Sequence, residues 1–284
     1  MIKNVLLADS GIGNSRELFQ SMRDLPAMQG VNVTILHVVP PQVSTEAMES
    51  KLAAGDDVLE TAANTLNLDP NQVTLLKRQG EPKDTVCKVA DEVDADLIIM
   101  GSRGLKRLES ILENSVSQYV FQLANRPMLL VRDDIYVRKI KRMMVALDKS
   151  EKSQASLDFA LFLANGAPGV ELVVARVNPD LDPNFAPTTK AEIESNTVIA
   201  QALPKLKRMG VKYRCIVEGG KPGAQLCKLV DDQSIDLLIL GSPDRRPSVA
   251  RALPDLDRLL GTSLSDYVRV NANCPVLLVR QPGA

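Results

Sequence analysis

Two clusters in this 284-residue chain have residue types and spacing that could do chemistry. The first follows the apolar run Leu97-Ile98-Ile99-Met100. It reads Gly101-Ser102-Arg103-Gly104, then nine residues, then Asn114-Ser115-Val116. Glycines let a backbone approach a phosphate closely and turn its N–H groups inward. A helix starting near Ser115 would add free N–H donors and the positive end of its dipole. The Ser115 hydroxyl would either cap that helix or donate to phosphate, and an ordinary strand-to-helix loop is the competing reading. The second cluster is a carboxylate at the end of an apolar run, Asp9-Ser10 early in the chain and Asp148-Lys149-Ser150 later. A carboxylate there can accept from an adenine amino group or a ribose hydroxyl, or it can cap the next helix.

Other reactive types are sparse. The single histidine, His37, stands at a strand end and reads as a hydrogen-bonded structural residue. The four cysteines form no CxxC pair, so zinc-ligand spacing is absent and no metal site is expected. They read as reduced core residues of a cytoplasmic protein. Net charge is −1, which gives no basic excess to draw nucleic acid or an acidic membrane. No apolar run reaches the ~18–20 residues of a membrane span, and the N-terminus lacks the order of a signal peptide.

The elements that must position these clusters occur twice. Lys3-Asn4-Val5-Leu6-Leu7-Ala8-Asp9-Ser10 resembles Lys141-Arg142-Met143-Met144-Val145-Ala146-Leu147-Asp148, and setting Asp9 against Asp148 gives an offset of 139. Leu36-His37-Val38 matches Ala175-Arg176-Val177 at that offset. Gly80-Glu81-Pro82 matches Gly220-Lys221-Pro222 at 140, as Asp96–Ser102 matches Asp236–Ser242. Pro127–Arg132 matches Pro275–Arg280 at 148, so the second copy carries 8 extra residues between Ser242 and Tyr267. Each half reads as five strands alternating with four helices. Short β-branched or apolar runs form the strands, Ser44 or Thr45 caps a long helix, and Pro82 opens another. Such alternation predicts a parallel sheet with helices on both faces. Ligands of such sheets bind beyond the strand C-termini where strand order reverses, which selects the loops after strands one and four.

This set of residues resembles the universal stress protein family, over nearly the whole chain, as two tandem domains. The family carries Asp-x-Ser after strand one, His-Val at the end of strand two, and Gly-x-x-Gly, nine residues, Gly-Ser/Thr after strand four. Its last strand resembles Cys-Pro-Val-Leu-Val-Val. Here Asp148-Lys149-Ser150, His37-Val38, Gly101 with Gly104, and Cys274-Pro275-Val276-Leu277-Leu278-Val279 stand at those places, and Ser115–Val120 is similar to the family's fourth-helix start. The resemblance implies two Rossmann-like (HUP-type) α/β domains, 1–135 and 140–284, each a five-stranded parallel sheet. It implies binding of ATP or AMP, with or without Mg²⁺. Asp9 and Val38 would lie near adenine, Met100 and Gly101 beside the ribose, and Gly104, Asn114, Ser115 and Val116 around the phosphates. The second half would use Asp148, Val177, Leu240, Gly241, Ser263 and Leu264.

The first half keeps more of the glycine pattern. Asn114 stands at its third glycine, whereas the second half has Asp244 at the second glycine, Thr262 at the third, and Arg245, Arg246 and Arg251 in a longer loop. The expected function is a cytoplasmic stress-response module that binds and signals without efficient turnover, hydrolysing ATP slowly at most. Two other readings stay open. One is a nucleotide-free interaction protein whose loops are relics. The other is an enzyme, because Ser10-Gly11-Ile12-Gly13-Asn14-Ser15 resembles the Ser-Gly-Gly-x-Asp-Ser loop of ATP pyrophosphatases. Family domains pair through their last strands, so an internal pseudo-dimer and a homodimer of chains are expected through Met128–Val131 and Val276–Val279.

Overall fold

A computed structural model describes residues 2–102, 116–185, 187, 189–242 and 263–280. It divides into two compact units, Met1–Asp24 with Met28–Val137 and Leu25–Ala27 with Arg138–Ala284.

In the first unit, β1 (Asn4–Ala8), β2 (Asn32–Val39), β3 (Val73–Gln79), β4 (Leu97–Ser102) and β5 (Met128–Arg132) form a parallel sheet in the order β3-β2-β1-β4-β5. The described helices are α1 (Ser15–Arg23), α2 (Thr45–Leu66), α3 (Pro82–Glu92) and α4 (Val116–Leu123). α1 packs on β1, β4 and α2, while α3 packs on α4. β1 has β2 on one side and β4 on the other, so strand order reverses at its C-terminal end. The continuous apolar runs of β1 and β4 follow from burial on both faces, where a period-2 polar face would be left without water.

Local chemistry sets the helix ends. Ser44 caps α2 by accepting from the Ala47 N–H at 3.2 Å, and Asn67 closes it in the left-handed conformation. Pro82 opens α3, where its missing N–H costs nothing. Gly55 lets α2 lie close to the sheet, since a Cβ there would come within 3.0 Å of the His37 ring. Asn14 holds the cap position of α1, and Ser15 is its buried first residue.

The second unit repeats the plan with β6 (Arg142–Ala146), β7 (Glu171–Asn178), β8 (Lys212–Gly219), β9 (Leu237–Gly241) and β10 (Val276–Val279), in the order β8-β7-β6-β9-β10. Its described helices are α5 (Glu151–Ala164), α6 (Lys190–Ser195), α7 (Thr197–Met209), α8 (Pro222–Asp232) and α9 (Leu264–Asn271). Where the first unit has the single helix α2, this one has two. Asn196, at φ −63° and ψ 125°, leaves helical geometry, and its side chain accepts from the N–H groups of Val198 and Ile199 to start α7 afresh. The preceding α6 starts with a capping box between Thr189 and Glu192.

Strand pairing fixes how the copies correspond. Ala8 pairs with Leu36 and Met100, and Ala146 pairs with Ala175 and Leu240. Ala8 therefore corresponds to Ala146. The same carboxylate device confirms it. Asp96 Oδ2 accepts from the N–H groups of Lys3 and Asn4 at 2.7 and 2.9 Å, and Asp236 Oδ2 accepts from Lys141 and Arg142 at 2.9 Å each. By this register Asp9 corresponds to Leu147, and Ser10 to Asp148. The sequence alignment of Asp9 with Asp148 is one residue out of step.

Candidate functional site

A one-residue offset at a strand end turns a side chain to the other face of the sheet. Asp9 is 3 % exposed, as befits the place that buried Leu147 fills in the other copy. Its carboxylate pairs with the Arg16 guanidinium through Oδ2 and accepts the Gly11 N–H at 2.8 Å through Oδ1. Arg16 also donates to the Val58 carbonyl oxygen of α2 at 3.2 Å. Both oxygens of Asp9 thus serve the interior between sheet and helices. Ser10, at the place of Asp148, donates to the Ile12 carbonyl oxygen at 3.1 Å.

The other first-unit residues sit on the expected sheet edge. Val38 is near the end of β2, Met100 and Gly101 are near the end of β4, and Val116 starts α4. Gly104, Asn114 and Ser115 lie outside the described residues. His37 Nδ1 sits 2.8 Å from the Asp9 carbonyl oxygen, a structural contact of the kind the sequence suggests for a lone histidine. The Asn14 amide donates to the carbonyl oxygens of Arg132, Asp133 and Ile135, at 3.3, 3.4 and 2.6 Å. That side chain ties the β1–α1 loop to the end of β5, so it does not project from the loop as a phosphate-loop residue would.

The second unit carries a cavity of about 400 Å³ at the C-terminal ends of its strands. Its lining includes Asp148, Val177, Leu240, Gly241 and Leu264, five of the six residues expected there. Asp148 is exposed. Its Oδ1 accepts the Ser150 N–H at 2.9 Å and the Ser150 hydroxyl at 2.5 Å, which fixes the carboxylate and leaves Oδ2 without a hydrogen bond among the described residues. Val177 and Leu240 are buried apolar walls. Gly241 allows close approach, since a Cβ there would come within 3.0 Å of the Lys152 carbonyl oxygen of α5. Ser263 is the sixth, and its hydroxyl caps α9 by accepting from the Asp266 N–H at 3.2 Å. It also donates to Asp266 Oδ2 at 2.7 Å. Asp244, Arg245, Arg246, Arg251 and Thr262 lie outside the described residues.

Sequence reasoning missed the rest of the lining. Pro179 and Asp180 line the cavity from the segment after β7. That segment is laid over the end of β8. The Gly219 N–H donates to the Phe185 carbonyl oxygen and the Gly220 N–H to that of Asn178, each at 3.1 Å. A Cβ on Gly219 would sit 1.9 Å from the Asp182 carbonyl oxygen. The signal was present in the sequence, because Gly219 stands where the first copy has Gln79. Arg176 also lines the cavity, where the first unit has His37. The lining carries the charges of Asp148, Lys149, Arg176 and Asp180, and no histidine. Among the described residues no group of three or more His, Cys, Asp or Glu could hold a metal ion, and no helix is long and apolar enough to cross a membrane.

Comparison with known proteins agrees with this architecture. The universal stress protein family model matches residues 1–132 and again 139–280. A universal stress protein of Synechocystis is 33% identical over 136 residues, covering 46% of this chain and 86% of that protein. One from Thermus aquaticus is 29% identical over 139 residues, covering 46% and 100%. Among solved structures, a universal stress protein from Archaeoglobus fulgidus superposes with a TM-score of 0.75 at 21% identity, over 99% of this chain and 97% of that one. With the family's model matched in both halves and its fold running end to end, the chain belongs to the universal stress protein family, as two of its domains in tandem.

Proposed function

We propose that the second unit binds an adenine nucleotide, ATP or AMP with or without Mg²⁺, and holds it without efficient turnover as part of a stress response. The observation that carries this is the cavity of about 400 Å³ that gathers Asp148, Val177, Leu240, Gly241 and Leu264. Its volume is within the ~300–1,000 Å³ range of small-molecule sites. Apolar Val177 and Leu240 suit a base, and the free Oδ2 of Asp148 suits a hydroxyl or amino donor. The described lining carries two carboxylates, Asp148 and Asp180, and two cations, Lys149 and Arg176, and slow hydrolysis at most stays part of the proposal. Adenylation with release of pyrophosphate is disfavoured by the engagement of Asn14 with three carbonyl oxygens.

A nucleotide-free role is favoured for the first unit by one observation, the inward turn of Asp9 onto Arg16. Pairing of chains through the apolar last strands stays part of this proposal, and light scattering of the purified chain tests it. The test of binding is to denature freshly purified protein and assay the supernatant for adenine nucleotides by chromatography and mass. Calorimetry with ATP and Mg²⁺ on the emptied protein accompanies it. About one mole per chain is expected. None by either method would transfer the interaction role to both units.

A further inference from the structure

Arg176 is a charged side chain in an unusual position. It is 9 % exposed, on a strand otherwise filled by Leu172, Val173, Val174, Ala175 and Val177. A buried guanidinium is costly unless an opposite charge and hydrogen bonds compensate it. Among the described residues it forms no ion pair, and its hydrogen bonding is one long contact, Nη1 to the Leu147 carbonyl oxygen at 3.5 Å. Its Nε and Nη2 form no hydrogen bond among the described residues, and Arg176 lines the cavity. In the first unit the corresponding His37 places Nδ1 2.8 Å from the Asp9 carbonyl oxygen. Arginine at this place exceeds the structural need that histidine meets.

We propose that Arg176 is a ligand-recognition residue of the second unit, donating Nε and Nη2 to phosphate oxygens of the bound nucleotide. The inference rests on the nucleotide reading above and adds to it the group that meets the anion. A guanidinium fork matches two phosphate oxygens, and both gain from pairing out of water. In the sequence Asp244 stands where the first half has Gly104, so this half has one glycine fewer and one acidic residue more in that stretch.

The test is a thermodynamic cycle on the full chain, with AMP and adenosine titrated into the wild type, Arg176→His at pH 8 and Arg176→Lys. In the wild type AMP binds more tightly than adenosine. The preference for AMP falls at least tenfold in R176H and partly in R176K, which keeps the charge without the fork, while adenosine affinity changes little. Thermal melts run alongside, and R176K supplies the comparison should R176H fold poorly. An unchanged AMP-to-adenosine ratio in both variants, with a lowered melting temperature, makes Arg176 a structural residue and overturns the inference alone. Binding of neither ligand by the wild type overturns the nucleotide reading, and this inference with it.

Discussion

Asp9 lies in register with Leu147, one residue short of Asp148, because Ala8 and Ala146 hold the same pairings in their sheets. Two aspartates that look equivalent in the sequence therefore face different ways. One is an internal ion-pair partner of Arg16, and the other stands open at a cavity.

The first prediction separates them. Asp148→Asn is expected to weaken nucleotide binding about tenfold, the scale of one hydrogen bond to a charged group, with little change in the melt. Asp9→Ala should leave binding to the second unit intact. It strands Arg16 and the Gly11 N–H, and costs about 3 kcal/mol of stability in a urea titration. Equal loss of binding in both variants would contradict the register argument.

Ser10 occupies the place of Asp148 in the first unit. Ser10→Asp should therefore raise the nucleotide content from about one to about two moles per chain, measured by release on denaturation. A content unchanged by S10D would place the deficiency of the first unit elsewhere in its loops.

Glycine substitutions should behave differently at two strand ends. Gly219→Ala drives a Cβ to 1.9 Å from the Asp182 carbonyl oxygen. The segment carrying Pro179 and Asp180 must then move, at a cost of about 2 kcal/mol and with weaker ligand binding. Among the described residues Gly101→Ala meets nothing nearer than the Val131 carbonyl oxygen at 4.0 Å, and its melt should stay within about 0.5 kcal/mol of wild type.

Burial, and secondarily the negative charge of Glu194, pushes the Cys215 thiol up to about 11. Burial pushes the fully enclosed Cys274 thiol up as well. The reactive form is the thiolate, whose fraction falls as the thiol pKa rises. At pH 8 a thiol of pKa 11 is about one part in a thousand thiolate, against roughly a quarter for an ordinary cysteine. Both should react slowly with a disulfide reagent in native protein at pH 8 and rapidly in urea. Raising the native sample towards pH 11 should release Cys215 first. Mass mapping of the labelled peptides checks the order.

Much of the architecture was legible because it rests on short-range rules. Short continuous apolar runs such as Leu97–Met100, bounded by polar and glycine residues, match strands covered on both faces. Ser44 and Pro82 mark helix starts through their own hydrogen-bonding chemistry, and the repeat implied two units of one plan. The break at Asn196 was harder, since its cap is visible only once the chain leaves helical geometry there. Of the site, the residues borne by strands, Val177, Leu240 and Gly241, could be placed from the family resemblance because a strand end fixes where they fall. The wall made by Pro179 and Asp180 could not. It depends on backbone carbonyls of one loop lying against glycines distant in sequence.

The sequence by itself determined the two-fold repeat, the parallel α/β plan and the edge of each sheet where a ligand would sit, because these follow from periodicity and from the handedness of strand–helix–strand units. Only the tertiary structure decided which aspartate faces that edge. Side chains alternate along a strand, so a one-residue ambiguity that a sequence match tolerates becomes a choice between the inside of the protein and its cavity. Strand pairing on both sides of β1 and β6 removes the ambiguity, turning Asp9 inward to Arg16 and leaving Asp148 at the mouth of the second unit's cavity.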